Sequence, residues 1–172
     1  LLRLLNPDAV FNIYGDLAQN ITRFRGLSDW SKVNTGEYYT LEQNYRNTNQ
    51  IVDYVASELG IAMQPIGFDG PEVSRIGVRG ISAFFREKKG LKAVIVPESE
   101  IERYRRKSYN VLGDTGRLSK KKINLMTVYE SKGLEFTCVA VADKNMTKQE
   151  KYIAYTRALK ELAVIREGNG AE

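Results

Sequence analysis

INLMTVYESKGLEFTCVAVA, residues 123–142, reads as two short apolar strands, 123–128 and 137–142, on either side of a polar bend at 129–136. A loop at a strand's end is where α/β proteins keep their ligands. The bend sets a cation, Lys132, and a carboxylate, Glu135, around Gly133. The missing Cβ there lets the backbone turn tightly or approach a ligand closely. A surface turn with a solvated Lys and Glu is the alternative reading of the same residues.

Outward from this stretch, strands and helices alternate. Residues 91–96 form an apolar strand, preceded by a helix over 81–89 and followed by a helix that Ser99 and Glu102 open as a capping box. On the C-terminal side, Thr147 and Glu150 make a second capping box for a helix over 148–159, with Tyr152, Tyr155, Thr156 and Leu159 on one face and a strand at 162–166 beyond it. Towards the N-terminus lie strands at 9–14 and 38–41. Thr48 then caps a helix in which Ile51, Val52, Val55, Ala56 and Leu59 recur at helical spacing, ended by Gly60. Residues 61–80 carry little periodicity and read as a loop. The alternation predicts a three-layer α/β domain with a mainly parallel sheet.

The 172 residues, 42% hydrophobic, suffice for one domain with a sizeable core. No apolar run approaches the roughly 18 to 20 residues that span a bilayer. The N-terminus lacks the order of a signal peptide, so a cytoplasmic location with no membrane partner is expected. The single cysteine, Cys138, lies inside an apolar strand and reads as a core thiol in a reducing compartment. The absence of histidine removes Ser-His and Cys-His nucleophile pairs and most zinc sites, and no metal ligands are assigned.

A net charge of +5 favours anionic partners, nucleic acid first. Much of the excess sits in residues 103–107 and 117–122, which read first as solvated faces, with nucleic-acid binding as the alternative. The helix dipole alone favours basic residues at the C-terminal end of the helix that Ser99 opens. In residues 22–26 Phe24 stands between Arg23 and Arg25, which suits stacking on an unpaired base while the cations hold its phosphates; Phe24 in the core is the alternative. Gln19, in the loop after Gly15, suits a phosphate-sensing position, against a plain strand-to-helix connection. Arg46 sits between a strand's end and a helix's start. From there a guanidinium can reach a phosphate in a neighbouring cleft or form a surface salt bridge.

Together these stretches resemble the UvrD/Rep-like superfamily 1 DNA helicases, in particular their second RecA-like motor domain. GDLAQNITRFRG (15–26) is similar to motif III, LEQNYRNT (41–48) to motif IV, INLMTVYESKGLEF (123–136) to motif V and KYIAYTRALKEL (151–162) to motif VI, in family order. The resemblance implies that Gln19, Arg46 and Arg157 approach the γ-phosphate of ATP, with Arg157 as the arginine finger. It implies that Glu135 approaches the ribose, with Lys132 and Gly133 in the same nucleotide-binding bend. By the same resemblance, Phe24, Arg23, Arg25 and Thr127 would fall on the single-stranded DNA side. Thr22 and Tyr129 stand where family members often have Tyr and His.

The interval between motifs IV and V is too short for the accessory domain of Rep-like enzymes. HelD-like members, some of which act on RNA polymerase, have unlike insertions, so a non-catalytic module docking RNA polymerase is the alternative. No phosphate-loop motif of Gly, four residues and Gly-Lys-Ser/Thr appears, nor an acidic pair at a strand's end for Mg2+. ATP with Mg2+ is therefore expected to be bound mainly by an upstream first RecA-like domain of the same polypeptide. Residues 1–26 would close that domain or its junction, and 27–172 would form the second. The chain begins with helical character and no Met, so a piece of a longer protein, inactive alone, is expected.

Overall fold

Apolar runs that must be covered on both sides pair as parallel strands. The computed structural model describes residues 42–166 together with Gly15 and Tyr39. In chain order the elements are β1 (Gln43–Asn44), α1 (Asn49–Leu59), β2 (Gln64–Pro65), β3 (Ser74–Ile76), α2 (Ile81–Phe85), β4 (Lys92–Val96) and α3 (Ile101–Tyr104). They continue with β5 (Asn110–Val111), α4 (Leu112–Thr115), β6 (Asn124–Thr127), α5 (Val128–Ser131), β7 (Phe136–Val141), α6 (Lys148–Thr156) and β8 (Ala158–Ile165). Six strands form one sheet in the order β3-β8-β7-β4-β6-β5, every pair parallel, while β1 and β2 make a separate parallel pair.

Alternate residues of the central strands feed two cores. Ala93, Ile95, Val139, Val141, Leu162 and Val164 face a layer made by Ile51, Val55 and Leu59 of α1 and Ile153 and Tyr155 of α6. Val94, Val96, Cys138, Ala140, Ala163 and Ile165 face the opposite layer, where Ile81 and Phe85 of α2 and Tyr104 of α3 pack. Each large aliphatic side chain buried this way contributes about 1.5 to 3 kcal/mol. The three-layer α/β architecture and the parallel sheet are as the alternation predicts. No helix among the described residues is long and apolar enough to cross a membrane.

Several local expectations are corrected. The bend after β6 is not wholly irregular: it holds the single turn α5, opened by a capping box between Thr127 and Glu130. The capping box expected at Ser99 does not form, because Arg105 draws the Glu102 carboxylate away with bonds of 2.7 and 2.9 Å. Thr48 occupies the N-cap of α1, yet its hydroxyl points to the Lys160 carbonyl at 3.4 Å instead of capping. The helix expected over 81–89 stops at Phe85. The loop expected over 61–80 contains β2 and β3, strands too short and glycine-flanked to show periodicity. Helix α6 starts at its predicted capping box but stops at Thr156, and β8 begins four residues earlier than expected.

Past the C-terminal ends of β7 and β8 a polar lock closes the sheet. Asp143, 2% exposed, accepts from the Tyr155 hydroxyl at 2.5 Å and from Arg166 at 2.8 and 3.0 Å, with Lys151 at 3.6 Å.

Cys138 is buried, as its strand context predicts. Burial first, and then the Glu161 carboxylate beside it, push its thiol up to about 11. At about pH 8 the folded protein should be alkylated far more slowly than the urea-unfolded chain, because the thiolate is the reacting form. Equal rates would place the thiol at the surface.

Candidate functional site at the N-terminal edge of the sheet

The turn carrying Arg46 is built by two asparagines. The Asn44 Oδ1 accepts from the backbone N–H groups of Arg46 (3.0 Å) and Asn47 (3.1 Å), and its amide donates to the Asn47 Oδ1 at 2.9 Å. This is the side-chain mimic of a backbone turn that Asn favours. The buried Asn47 amide then donates to the carbonyls of Thr156 (3.1 Å) and Ala158 (2.7 Å), more than a hundred residues away. Those two carbonyls flank Arg157. The Thr48 N–H adds a bond to the Leu159 carbonyl at 3.2 Å. Gly67 packs over this turn, and a Cβ there would meet the Asn47 carbonyl at 2.9 Å.

A third segment joins them. Phe136 opens β7 beside Ala158, which opens β8, and its N–H donates to the Arg157 carbonyl at 2.9 Å. Just before it, Gly133 turns at φ +83°, a conformation that favours glycine, with open space where a Cβ would stand. The bend then presents Leu134 and Glu135. Glu135 pairs with Arg46 at 3.0 Å, both side chains about half exposed. Arg157, 4% exposed, donates from Nη1 to the Leu134 carbonyl (3.2 Å), from Nε to the Ile153 carbonyl (3.1 Å) and from Nη2 to the Thr156 hydroxyl (3.3 Å).

The structure thus brings Arg46, Glu135 and Arg157 to the N-terminal edge of β7 and β8, with the exposed Lys132 and Gly133 in the same bend. It does not bring Thr127 to them. Thr127 ends β6 at the C-terminal edge, about 20 Å along the strand direction from Phe136. Its hydroxyl accepts from the Glu130 N–H (3.2 Å) and donates to the Glu130 carboxylate (3.0 Å). Gln19, Arg23, Phe24 and Arg25 lie outside the described residues, as do the strands expected at 9–14 and, Tyr39 apart, at 38–41.

Sequence reasoning missed two residues of this wall. Asn47 is the staple, and the Asn-x-x-Asn spacing around Arg46 is the signal that could have found it. Tyr45, 75% exposed beside Arg46, offers a free aromatic face. Among the described residues no group of three or more His, Cys, Asp and Glu side chains could hold a metal ion. The edge sets two guanidinium groups, Arg46 and Arg157, beside one carboxylate, Glu135.

No family model and no curated protein matches the sequence. Among solved structures, the chain is similar to the C-terminal domain of a possible DNA helicase from Lactobacillus plantarum WCFS1, at 22% identity and a TM-score of 0.57, over 72% of this chain and 88% of that one. The fold is that of a RecA-like α/β domain. Looser likenesses reach the PRRSV helicase (16% identity, TM-score 0.43, 75% of this chain and 23% of that one). The Sulfolobus solfataricus SWI2/SNF2 ATPase core in complex with dsDNA is looser still (14% identity, TM-score 0.36, 74% and 34%). This chain spans about a quarter to a third of those two proteins.

Proposed function

We propose that this RecA-like domain is the second motor domain of an ATP-dependent superfamily 1 DNA helicase or translocase of the UvrD/Rep-like type. It lends arginines to the γ-phosphate of ATP held mainly by a first motor domain, and it contacts single-stranded DNA. The observation that carries this reading is the Asn47 staple, which joins the Arg46 turn to the Arg157 segment with Glu135 between them.

The energetics of the wall suit a phosphate sensor. An exposed ion pair such as Arg46–Glu135 contributes about 0 to 1 kcal/mol, so exchanging the carboxylate for a phosphate costs little. The guanidinium fork matches phosphate oxygens two at a time and stays charged at any working pH. Glu135, once released, is an acceptor for sugar hydroxyls. Arg157 is held back by two carbonyls and a hydroxyl. Bonds from a guanidinium to an anion are stronger than these, which favours its exchange toward an arriving phosphate. Bound ATP supplies the phosphoryl group that is transferred to water. The chain's part is to position and neutralise it. Tyr45 supplies a stacking face for a base, and with Ile66 and Phe68 it gives the closing partner domain apolar surface. Gln19 would complete the phosphate contacts. Phe24, Arg23, Arg25 and Thr127 would hold the strand, Thr127 from the opposite edge through α5, which links the two edges.

The test is Arg46→Ala in the full-length protein. ATP turnover should fall by about 10²-fold or more. The melting temperature should stay within about 3 °C, because only an exposed pair is lost. Turnover within a few-fold of wild type would remove Arg46 from the site.

A further inference from the structure

The two basic stretches of the sequence, 103–107 and 117–122, meet at the outer edge of the sheet. Beside β5 a concavity of about 480 Å3 is lined by Arg105, Arg106, Lys107 and Lys122, with the carboxylates of Glu102 and Asp114. A second concavity of about 340 Å3 shares Arg106 and Tyr109 with the first and leads away from the β5 edge to Arg79 and Ser82, at the start of α2. The two make one trough.

Its cations are not equivalent. Arg105 is committed: it pairs with Glu102 at 2.7 Å and with Asp114, neutralising the two carboxylates that line the first concavity among the described residues. Arg79, Arg106, Lys107 and Lys122 form no ion pair among the described residues. Arg106 spends its Nη1 on the carbonyls of Arg103 (3.0 Å) and Arg105 (2.8 Å), which fixes the side chain and leaves the rest of its donors available. A preorganised guanidinium flanked by two exposed ammonium groups, in a trough longer than one ion needs, suits a chain of phosphates.

We infer that this trough binds the phosphodiester backbone of a nucleic-acid strand through Arg106, Lys107 and Lys122. Protein–nucleic acid interfaces are polar and strongly positive, whereas protein–protein hot spots centre on Trp, Tyr and Arg packed into desolvated pockets. The exposed large apolar side chains of the described residues, Tyr39, Tyr45, Ile66, Phe68 and Tyr129, line neither concavity. The trough is also distinct from Thr127: Lys122 precedes β6, and Thr127 ends it. The inference does not depend on the ATP-site reading, because the binding it predicts requires no nucleotide.

The experiment is a fluorescence-anisotropy titration of the chain, without nucleotide, against short single-stranded and blunt duplex oligonucleotides over about 50 to 200 mM salt. The Arg106→Ala/Lys107→Ala/Lys122→Ala variant should bind more weakly, and its slope of log affinity on log salt should be shallower by about 2 to 3, close to one unit per lost phosphate contact. Lys107→Ala/Lys122→Ala, whose side chains form no hydrogen bond among the described residues, should lose about two-thirds of that amount and guards against a folding defect in the triple variant. The control Arg75→Ala/Lys148→Ala removes two exposed cations elsewhere, Arg75 on the opposite edge strand, and should leave the slope unchanged. A loss confined to one probe identifies that form as the ligand, and a loss on both assigns the site to the shared backbone. Unchanged slopes in the triple variant, or an equal loss in the control, would overturn the inference.

Discussion

Arg157→Ala in the full-length protein should lower ATP turnover by about 10³-fold or more, the scale set by arginine fingers in phosphoryl transfer, while single-strand binding stays nearly unchanged. The substitution acts twice. It removes a cation from the proposed γ-phosphate wall, and it strips a donor from the Leu134 and Ile153 carbonyls that the guanidinium satisfies. A buried group left unpaired costs about 1 to 3 kcal/mol, so some loss of stability accompanies the loss of activity. Arg157→Lys separates the two effects. A lysine keeps the charge and can satisfy a carbonyl, but it cannot present a planar fork to two phosphate oxygens. Stability should recover in part and turnover should not. Turnover of Arg157→Ala within a few-fold of wild type would leave Arg157 as a structural staple.

Asp143→Ala should destabilise the domain by about 3 kcal/mol, the low end for breaking a buried charge pair. The low end applies because Arg166, 43% exposed, can turn to water, whereas the wholly buried Tyr155 hydroxyl loses its acceptor. For a domain of this size that amounts to a fall of about 10 °C in melting temperature. A fall of less than about 3 °C would show that the lock does not hold the C-terminal edge. Its pH dependence has a definite sign. Burial, then the hydrogen bond to Asp143, raise the Tyr155 hydroxyl above the ordinary tyrosine value. The folded state therefore retains that proton when the unfolded chain has lost it. The stability this confers is complete below about pH 10 and disappears as pH rises beyond it.

The same contrast between local and distant partners explains what could be read from the sequence. β4, β6 and β7 were legible as apolar runs because each is covered on both faces, and the capping box of α6 was legible because Thr147 and Glu150 satisfy each other within one turn. The end of α6 was not. Leu159 continues the helical spacing, but the Asn47 amide captures the carbonyls on either side of Arg157 and the chain leaves the helix for β8. Thr48 and Glu102 fail their expected capping roles for a like reason: β8 and Arg105 are better partners than the local N–H groups. In the candidate site, Arg46, Glu135 and Arg157 were individually visible as charged residues at element boundaries. Their convergence rests on contacts across nearly the whole described chain, which only the family resemblance anticipated. The resemblance also grouped Thr127 with the strand-binding residues, and the structure sets it at the sheet edge away from Arg46 and Arg157.

Arg46, Arg157 and Glu135 are proposed to form one wall for a nucleotide held from elsewhere. A crystal structure of the full-length protein with a non-hydrolysable ATP analogue and Mg2+ measures this most directly. In it, Arg46 and Arg157 should lie within hydrogen-bond distance of γ-phosphate oxygens, with the Arg46–Glu135 pair broken and Glu135 turned to the ribose. A nucleotide bound away from the N-terminal edge of β7 and β8, with Arg46 still on Glu135 and Arg157 still on the Leu134 carbonyl, would contradict it.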